Sequence, residues 1–469
     1  MKTAKKTWIN FKTQKINSGV LFYFIILIFL SQTIKTIYIC ALIFIMNFIE
    51  EMRWRGLLHD VMPGTEEHLL EGSKTGYIGF DPTADSLHAG SLSTAMLLVH
   101  FAKCGHNPIA LVGGATGMVG DPTDKADERS LLYEEELNKN IAGIHKQLAY
   151  LLEKAGGAGN FTMVNNYDWM KDYSFLNFIR DIGKHLTVNY MTSKDSVKKR
   201  LETGLSFTEF SYQLLQGYDF LYLYEKHNCT LQMGGSDQWG NIVTGTELIR
   251  RKAEGKAYAL TAPLVTKADG NKFGKSESGA VWLDATQTSP YKFYQFWINQ
   301  DDEMSEQYIK RFTLLSKAEI NALIEEHRAS PGARIVQKKL AQEVTTFVHN
   351  KEAYETAVAA SNILFGKSTK DALLKLSKQN IQEVFEGVPT FQINKEELIG
   401  GIDIIDLLAE KTTITKSKGE ARRSLKENAI SVNKQKVGED AKINEEDLLN
   451  QQHLIVQKGK KNYFLVEVV

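Results

Sequence analysis

Two short runs, Ile109-Ala110-Leu111-Val112 and Thr230-Leu231-Gln232-Met233, each end in a pair of glycines, Gly113-Gly114 and Gly234-Gly235. An open α/β sheet finishes its strands this way beside a ligand, because a residue without a Cβ lets the backbone approach whatever is bound. One glycine turn does no more than end a strand in many proteins. Here both are followed by an aspartate with polar neighbours, Asp121 after the first and Ser236-Asp237-Gln238 after the second. That repetition predicts one site at the carboxyl edge of a sheet.

A third strand is expected at Tyr77-Ile78-Gly79-Phe80. It is followed by the turn Asp81-Pro82-Thr83-Ala84-Asp85-Ser86 and by apolar residues at helical spacing from Leu87 to Ala102. His88 and Gly90 then fall in the first turn of a helix, where free N–H groups and the positive dipole end favour phosphate and a glycine admits a flat base. A histidine at a helix start is more often a simple cap. Far downstream, Gly270-Asn271 open a loop that carries Lys272-Phe273-Gly274-Lys275-Ser276. Two ammonium groups three residues apart suit the charge that builds on a departing pyrophosphate, although a basic turn is also commonly just solvated. Tyr212, Gln216 and Asp219 stand at i, i+4 and i+7, so a helix aligns their polar ends along one face that can read a polar substrate.

These segments resemble the bacterial-type tyrosyl-tRNA synthetases, a family of class I aminoacyl-tRNA synthetases, from about Met46 to the C-terminus. The carriers are Tyr77 to Ser91, Leu111 to Pro122, Phe207 to Phe220, Leu231 to Asn241 and the Lys272 loop. The fold implied is α/β: a Rossmann-type parallel-sheet catalytic domain over 46–285 with its lysine loop at 270–278, a helical anticodon-region domain over 286–395, and a small α+β S4-like RNA-binding domain over 396–469. The activity implied is formation of tyrosyl-adenylate from L-tyrosine and ATP, then transfer of the tyrosyl group to tRNA(Tyr).

The resemblance assigns roles to individual positions. Tyr77 and Asp219 match the groups that bind the substrate's phenol, and Asp121, Tyr212 and Gln216 those that hold its ammonium. His88 and Thr94 would face the γ-phosphate, Lys272 and Lys275 the pyrophosphate, and Gln238 the reacting α-phosphate and carboxylate. Gly90 would underlie the adenine, Asp237 bind the ribose and Asp81 lie beside the adenylate. Lys125 and Arg129 match basic positions of a loop after Asp121. Mg²⁺ would accompany ATP without a dedicated protein cage, no other cofactor is expected, and a symmetric cytoplasmic dimer is implied. A buried carboxylate and phenol left unpaired by phenylalanine explain the choice of tyrosine, so no editing domain is needed. Tryptophan is the nearest competing substrate, with Asp219 as the discriminator.

Three positions depart from the pattern: Ser91 stands where many relatives carry a second histidine, Ile78 where some carry cysteine, and Ser276 where threonine also occurs. From Lys411 to Lys436 there are eight Lys or Arg against two Glu, and Lys416, Lys418, Arg422, Arg423 and Lys426 are candidate RNA contacts. The formal net charge of +0 argues against indiscriminate polyanion binding but allows such a patch. Ser289 to about Gly387 reads as helical, broken at Pro331-Gly332.

The N-terminal extension, residues 1–45, has two apolar runs behind five lysines, Val20 to Leu30 and a second from Ile37 that runs into Met46. They read as a mis-assigned start ahead of Met46, with a membrane anchor as the alternative. Three cysteines without a Cys-x-x-Cys pair give no disulfide framework and suit a reducing compartment. The competing classes are an RNA-binding descendant of the fold, which could dispense with His88, Lys272, Lys275 and Asp219, and an anchored protein, which would need the first 45 residues.

Overall fold

Apolar residues on both faces of the strands, bounded by helices, produce a parallel sheet buried between two helical layers. The computed structural model describes residues 47–121, 133–156, 161–194, 197–198, 201, 204–265, 273–276, 279–365, 378, 381–382, 385, 388–459 and 462–469. The N-terminal extension, Lys125, Arg129 and Lys272 lie outside the described residues.

Strands β1 (Thr75–Phe80), β2 (Asn107–Val112), β3 (Thr162–Asn165), β4 (Cys229–Gly235) and β5 (Tyr258–Ala262) form a five-stranded sheet in the order β3-β2-β1-β4-β5, all parallel. The order reverses between β1 and β4, which opens a crevice at the carboxyl ends of those two strands. The three strands and the helix expected from sequence are present, each within a few residues of the expected limits.

Helix α1 (Phe48–Arg55) precedes the sheet, and α2 (Ala89–Lys103) follows β1. The short α3 (Gly114–Val119) follows β2, and α4 (Glu134–Lys154) leads towards β3. Before β4 runs α5 (Phe207–His227), opened by a Ser206/Glu209 capping box, and α6 (Trp239–Lys252) follows β4. Side chains alternate across β1. Ile78 and Phe80 pack with α1, α2 and α4, whereas Tyr77 points to the opposite face with Leu214 and Phe220 of α5 and Leu248 of α6. This alternation is why Tyr77 meets the helix that carries Tyr212, Gln216 and Asp219.

After the hairpin of β6 (Lys275–Ser276) and β7 (Gly279–Ala280) come five helices: α7 (Pro290–Ile298), α8 (Asp302–Phe312), α9 (Lys317–Ala329), α10 (Ile335–Val348) and α11 (Lys351–Phe365). Pro290 sits in the first turn of α7, and Pro331–Ala333 makes the expected break as a 3₁₀ turn. The aromatic centre of this bundle, Phe293, Trp297, Tyr308 and Phe312, is continuous with the core on one face of the sheet. Arg55, 3% exposed, ties the two parts together by donating to the carbonyls of Lys310, Thr313 and Leu315 at the end of α8.

The last segment has its own core and a five-stranded mixed sheet. Its strands are β8 (Thr390–Ile393), β10 (Ile430–Val432), β11 (Gln435–Lys436), β13 (His453–Lys458) and β14 (Asn462–Val468), while β9 (Ile402–Asp403) and β12 (Lys442–Ile443) pair separately. Because β8 pairs with β14, residues 390–393 belong to this sheet and not to the helical segment that the sequence reading assigned them to. Among the described residues, no helix is long and apolar enough to cross a membrane.

Candidate active site

A cavity of about 600 Å³ opens at the carboxyl ends of β1 and β4. It is lined by Tyr77, Asp81, His88, Gly90, Thr94, Asp121, Tyr212, Gln216, Asp219, Asp237 and Gln238 among others. Eleven of the positions singled out from sequence therefore converge on one space, at the edge where the strand order reverses.

The deep end is formed by buried polar groups. Tyr77 is 1% exposed, and its hydroxyl has no hydrogen-bond partner among the described residues. Burial, then the charge of Asp219, pushes that phenol well above its ordinary range. Asp219 is 2% exposed and accepts from Asn166 Nδ2 at 3.0 Å and Trp169 Nε1 at 2.9 Å. Burial still dominates, so its carboxyl is pushed up to about 7 in spite of those two donors, with Asp81 adding to the rise. Gln216 Oε1 is likewise buried without a partner among the described residues. A pocket that holds unpaired buried polar atoms is arranged for a ligand that supplies the missing partners.

At mid-cavity, Tyr212 donates to Asp81 Oδ2 at 2.8 Å and Thr116 to Asp81 Oδ1 at 2.8 Å. Gln238 Nε2 donates to Asp121 Oδ2 at 2.7 Å. Tyr212, Asp121 and Gln216, which the resemblance assigns together to the substrate's ammonium, all line this part of the cavity with Asp81. Gly113 has to be a glycine, since a Cβ there would overlap both Thr116 Oγ1 and Asp81 Oδ1.

At the outer end, His88 lies just before α2 and not in its first turn. As N-cap, its Nδ1 accepts the Ser91 N–H at 3.1 Å. A backbone amide can only donate, so a neutral His88 carries its proton on Nε2. Ser91 Oγ lies 3.3 Å from the same Nδ1, beside the ring rather than in place of a second one.

The lysine loop reaches this corner from the other side. Gly274, at φ +83°, passes so close to Gly90 that a Cβ would sit 2.6 Å from the Gly90 nitrogen. Phe273 anchors the loop by packing on Tyr308 at 4.7 Å and Phe312 at 5.5 Å between ring centres. Lys275 is placed by its backbone in β6, paired with Ala280.

Sequence reasoning missed Asn166, Trp169 and Thr116, which hold the two carboxylates. Asn166 is fully buried and donates to Thr116 Oγ1 and Asp219 Oδ2, while its Oδ1 accepts the Ala115 N–H at 2.7 Å. The available signal was Asn165-Asn166 at the end of β3, at the same sheet edge as the glycine pair after β2.

Comparison with known proteins agrees with this geometry. The family model for class I tRNA synthetases (W and Y) matches residues 71–366, and that for the SYY-like C-terminal domain of tyrosine–tRNA ligases matches residues 380–466. The tyrosine–tRNA ligase of Flavobacterium johnsoniae is 60% identical over 429 residues, which are 90% of this chain and 100% of that protein. The chain belongs to the tyrosine–tRNA ligase family. The Bacteroides fragilis member is 58% identical over 427 residues, covering 90% of this chain and 99% of its own. Among solved family structures, the C-terminally truncated mitochondrial tyrosyl-tRNA synthetase of Aspergillus nidulans is 32% identical, with a TM-score of 0.62, and covers 68% of this chain and 94% of that one.

The basic segment near the C-terminus is more mixed than its sequence suggests. Helix α12 (Lys418–Lys426) exposes Arg422, Arg423 and Lys426, and Lys416 is exposed just before it. Lys418 is engaged by Asp406 at 2.8 Å and Glu410 at 2.7 Å, which removes it from a uniformly basic face.

Proposed function

We propose that this cavity binds L-tyrosine with its ring in the Tyr77–Asp219 end and MgATP along the His88–Gly274 corner, so that the tyrosine carboxylate meets the α-phosphate near Gln238. The chain is a class I enzyme that activates tyrosine with ATP and charges tRNA with it. In the first step a carboxylate oxygen attacks the α-phosphorus, the bond to the β-phosphate oxygen breaks, and pyrophosphate leaves. In the second, a terminal ribose hydroxyl of tRNA(Tyr) attacks the tyrosyl carbonyl and AMP departs. Neither step needs a protein nucleophile; positioning and electrostatics supply the acceleration.

The residues divide the work by location. Asp219 would accept the phenolic O–H of tyrosine, and Tyr77 would donate to the phenol oxygen. Asp81, Asp121, Tyr212 and Gln216 would surround the ammonium. His88, Thr94 and the first amides of α2 would meet the triphosphate, Gly90 the adenine and Asp237 the ribose. Lys272, Lys275, Lys125 and Arg129 would counter the charge on the departing pyrophosphate, and Mg²⁺ would enter with ATP. The observation that carries this reading is the approach of Gly274 to Gly90, which brings the two phosphate signatures to one corner of a cavity whose far end holds a buried carboxyl and phenol.

We further propose a cytoplasmic dimer. Phe175, Leu176, Ile179 and Val188 form an exposed apolar stretch that a second copy would cover. Arg422, Arg423, Lys416 and Lys426 would contact tRNA.

The test is exchange of labelled pyrophosphate into ATP with tyrosine, phenylalanine or tryptophan as the amino acid. Exchange with tyrosine alone is expected, with kcat reduced on the order of 10²-fold in Lys272→Ala while the tyrosine dissociation constant is unchanged. Exchange that depends equally on tryptophan, or a Lys272→Ala enzyme of full activity, would refute the assignment.

A further inference from the structure

Three segments converge on the outer end of the cavity, and one buried hydroxyl joins them. Ser86, 4% exposed, accepts from Gln147 Nε2 at 2.9 Å and from the Asp284 N–H at 3.1 Å. It donates to the Leu87 carbonyl at 2.8 Å. Gln147 belongs to α4, and its Oε1 accepts the Leu87 N–H at 2.7 Å. Neither Ser86 nor Gln147 lines the cavity.

The backbone on either side of His88 is thereby fixed. The Leu87 amide is held by Gln147, its carbonyl accepts the Leu283 N–H at 2.8 Å, and the Ala89 N–H donates to Val281 O at 2.8 Å. The stretch Val281 to Asp284 follows directly from β7, and the Val281 N–H returns to Gly274 O at 2.8 Å. One short stretch of chain therefore holds both the His88 cap and the Gly274 turn, and Ser86 with Gln147 attaches it to the helical layer. Asn140 and Gly143, on the same face of α4, extend the clasp. Asn140 donates to Pro82 O at 3.1 Å, and Gly143 leaves room for the Asp85 carbonyl.

We propose that Ser86 and Gln147 are positioning residues that set the separation of the His88 cap from the lysine-loop turn, and so control the activation step without touching substrate. This rests on the reading of His88 as a triphosphate contact. Two neutral hydrogen bonds contribute little to the stability of a chain this long, whereas a displacement of about 1 Å at a reacting centre costs on the order of 10²-fold in rate. The effect on kcat should therefore exceed any effect on folding, and it should spare the tyrosine end.

The experiment uses the full chain and measures pyrophosphate exchange, the dissociation constant of tyrosine without ATP, and the melting temperature. The variants are Gln147→Leu, Gln147→Glu, Ser86→Ala, His88→Ala and the Gln147→Leu/His88→Ala double. Gln147→Leu should lower kcat on the order of tenfold or more with tyrosine binding within about twofold of the parent. Gln147→Glu keeps the acceptor for Leu87 but cannot donate to Ser86, so it should recover only part of the rate. In the His88→Ala background the effect of Gln147→Leu should shrink at least about threefold, because two residues that act through one placement are not additive.

Equal loss of tyrosine binding and exchange, a Gln147→Glu enzyme as slow as Gln147→Leu, or full additivity with His88→Ala would overturn the proposal. An unaltered rate in His88→Ala would instead refute the phosphate-site reading itself, and the proposal with it. Should Gln147→Leu fail to fold, Ser86→Ala, which removes a single oxygen, decides the same comparisons.

Discussion

Preference for tyrosine over phenylalanine should depend on pH, and Asp219 should set where it changes. Burial, against the donors Asn166 and Trp169, leaves that carboxyl at about 7 in the empty cavity. Relative to a carboxyl in water near 3.9, keeping it ionised there costs roughly 4 kcal/mol. Tyrosine brings a third donor. A hydrogen bond to a charged acceptor contributes about 1.5–3 kcal/mol, enough to lower the value in the tyrosine complex to about 5–6. Phenylalanine brings no donor and expels water, so in its complex the value rises above 7. By linkage the ratio of the two specificity constants follows the fraction of neutral carboxyl in the phenylalanine complex divided by that in the tyrosine complex. It is nearly flat at low pH and climbs between about pH 5 and pH 8, by at least about fivefold from pH 6 to pH 8.5. Pyrophosphate exchange with each amino acid measures it, and taking the ratio within one enzyme cancels the ionisation of ATP and of the common amino group. Asp219→Asn should give a low ratio that does not change with pH. A flat or falling ratio in the parent, or the same rise in Asp219→Asn, would refute the reasoning. The linkage also has a stability sign. With a folded-state value raised above the unfolded one, this group costs nothing below about pH 4 and progressively destabilises the empty fold as the pH rises to about 7, with saturating tyrosine restoring part of the loss.

Arg55→Met should cost about 3–5 kcal/mol in urea unfolding, because Glu51 and three carbonyls at the end of α8 lose a buried cation; a change below about 1 kcal/mol would mean that solvent replaces it. His106, stacked on Phe101 at 4.5 Å, is held at about 4, first by burial and then by His68 and Lys74. Its neutral form supports the fold fully above about pH 6.5, and roughly 3 kcal/mol is lost as the pH falls towards 4. His106→Asn should flatten that limb of a stability–pH curve, and an unchanged limb would assign the acid sensitivity elsewhere. Gly143→Ala should lower stability by about 2 kcal/mol and slow exchange, despite alanine's better helix propensity, since the new Cβ would overlap the Asp85 carbonyl; an unchanged melting temperature would show that α4 can shift.

What the sequence made legible and what it hid divide along a physical line. Strand ends, glycine pairs and the Tyr212–Gln216–Asp219 stripe follow from local rules of period and sterics, and together with the family resemblance they named eleven residues that line one cavity. Tyr77 faces Asp219 because β1 alternates and α5 covers that face, a consequence readable once both elements are assigned. The residues that hold the site gave no such signal. Asn166 reaches Asp219 across 53 positions, Gln147 reaches Ser86 across 61, and Asp284 reaches Ser86 across 198. Their side chains are common types at unremarkable spacings, and their meaning comes from which backbone groups the fold leaves in need of partners. The same logic applies to charge. Lys418 looked like part of a basic face until Asp406 and Glu410, 12 and 8 positions earlier, were found on either side of it. Groups proposed to touch substrate were therefore easier to read than groups that position them, because contact chemistry restricts residue type strongly whereas support restricts only geometry. Substitutions at Asn166 and Gln147 should accordingly tolerate any side chain that restores the same hydrogen bonds, while Asp219 and Tyr77 should not.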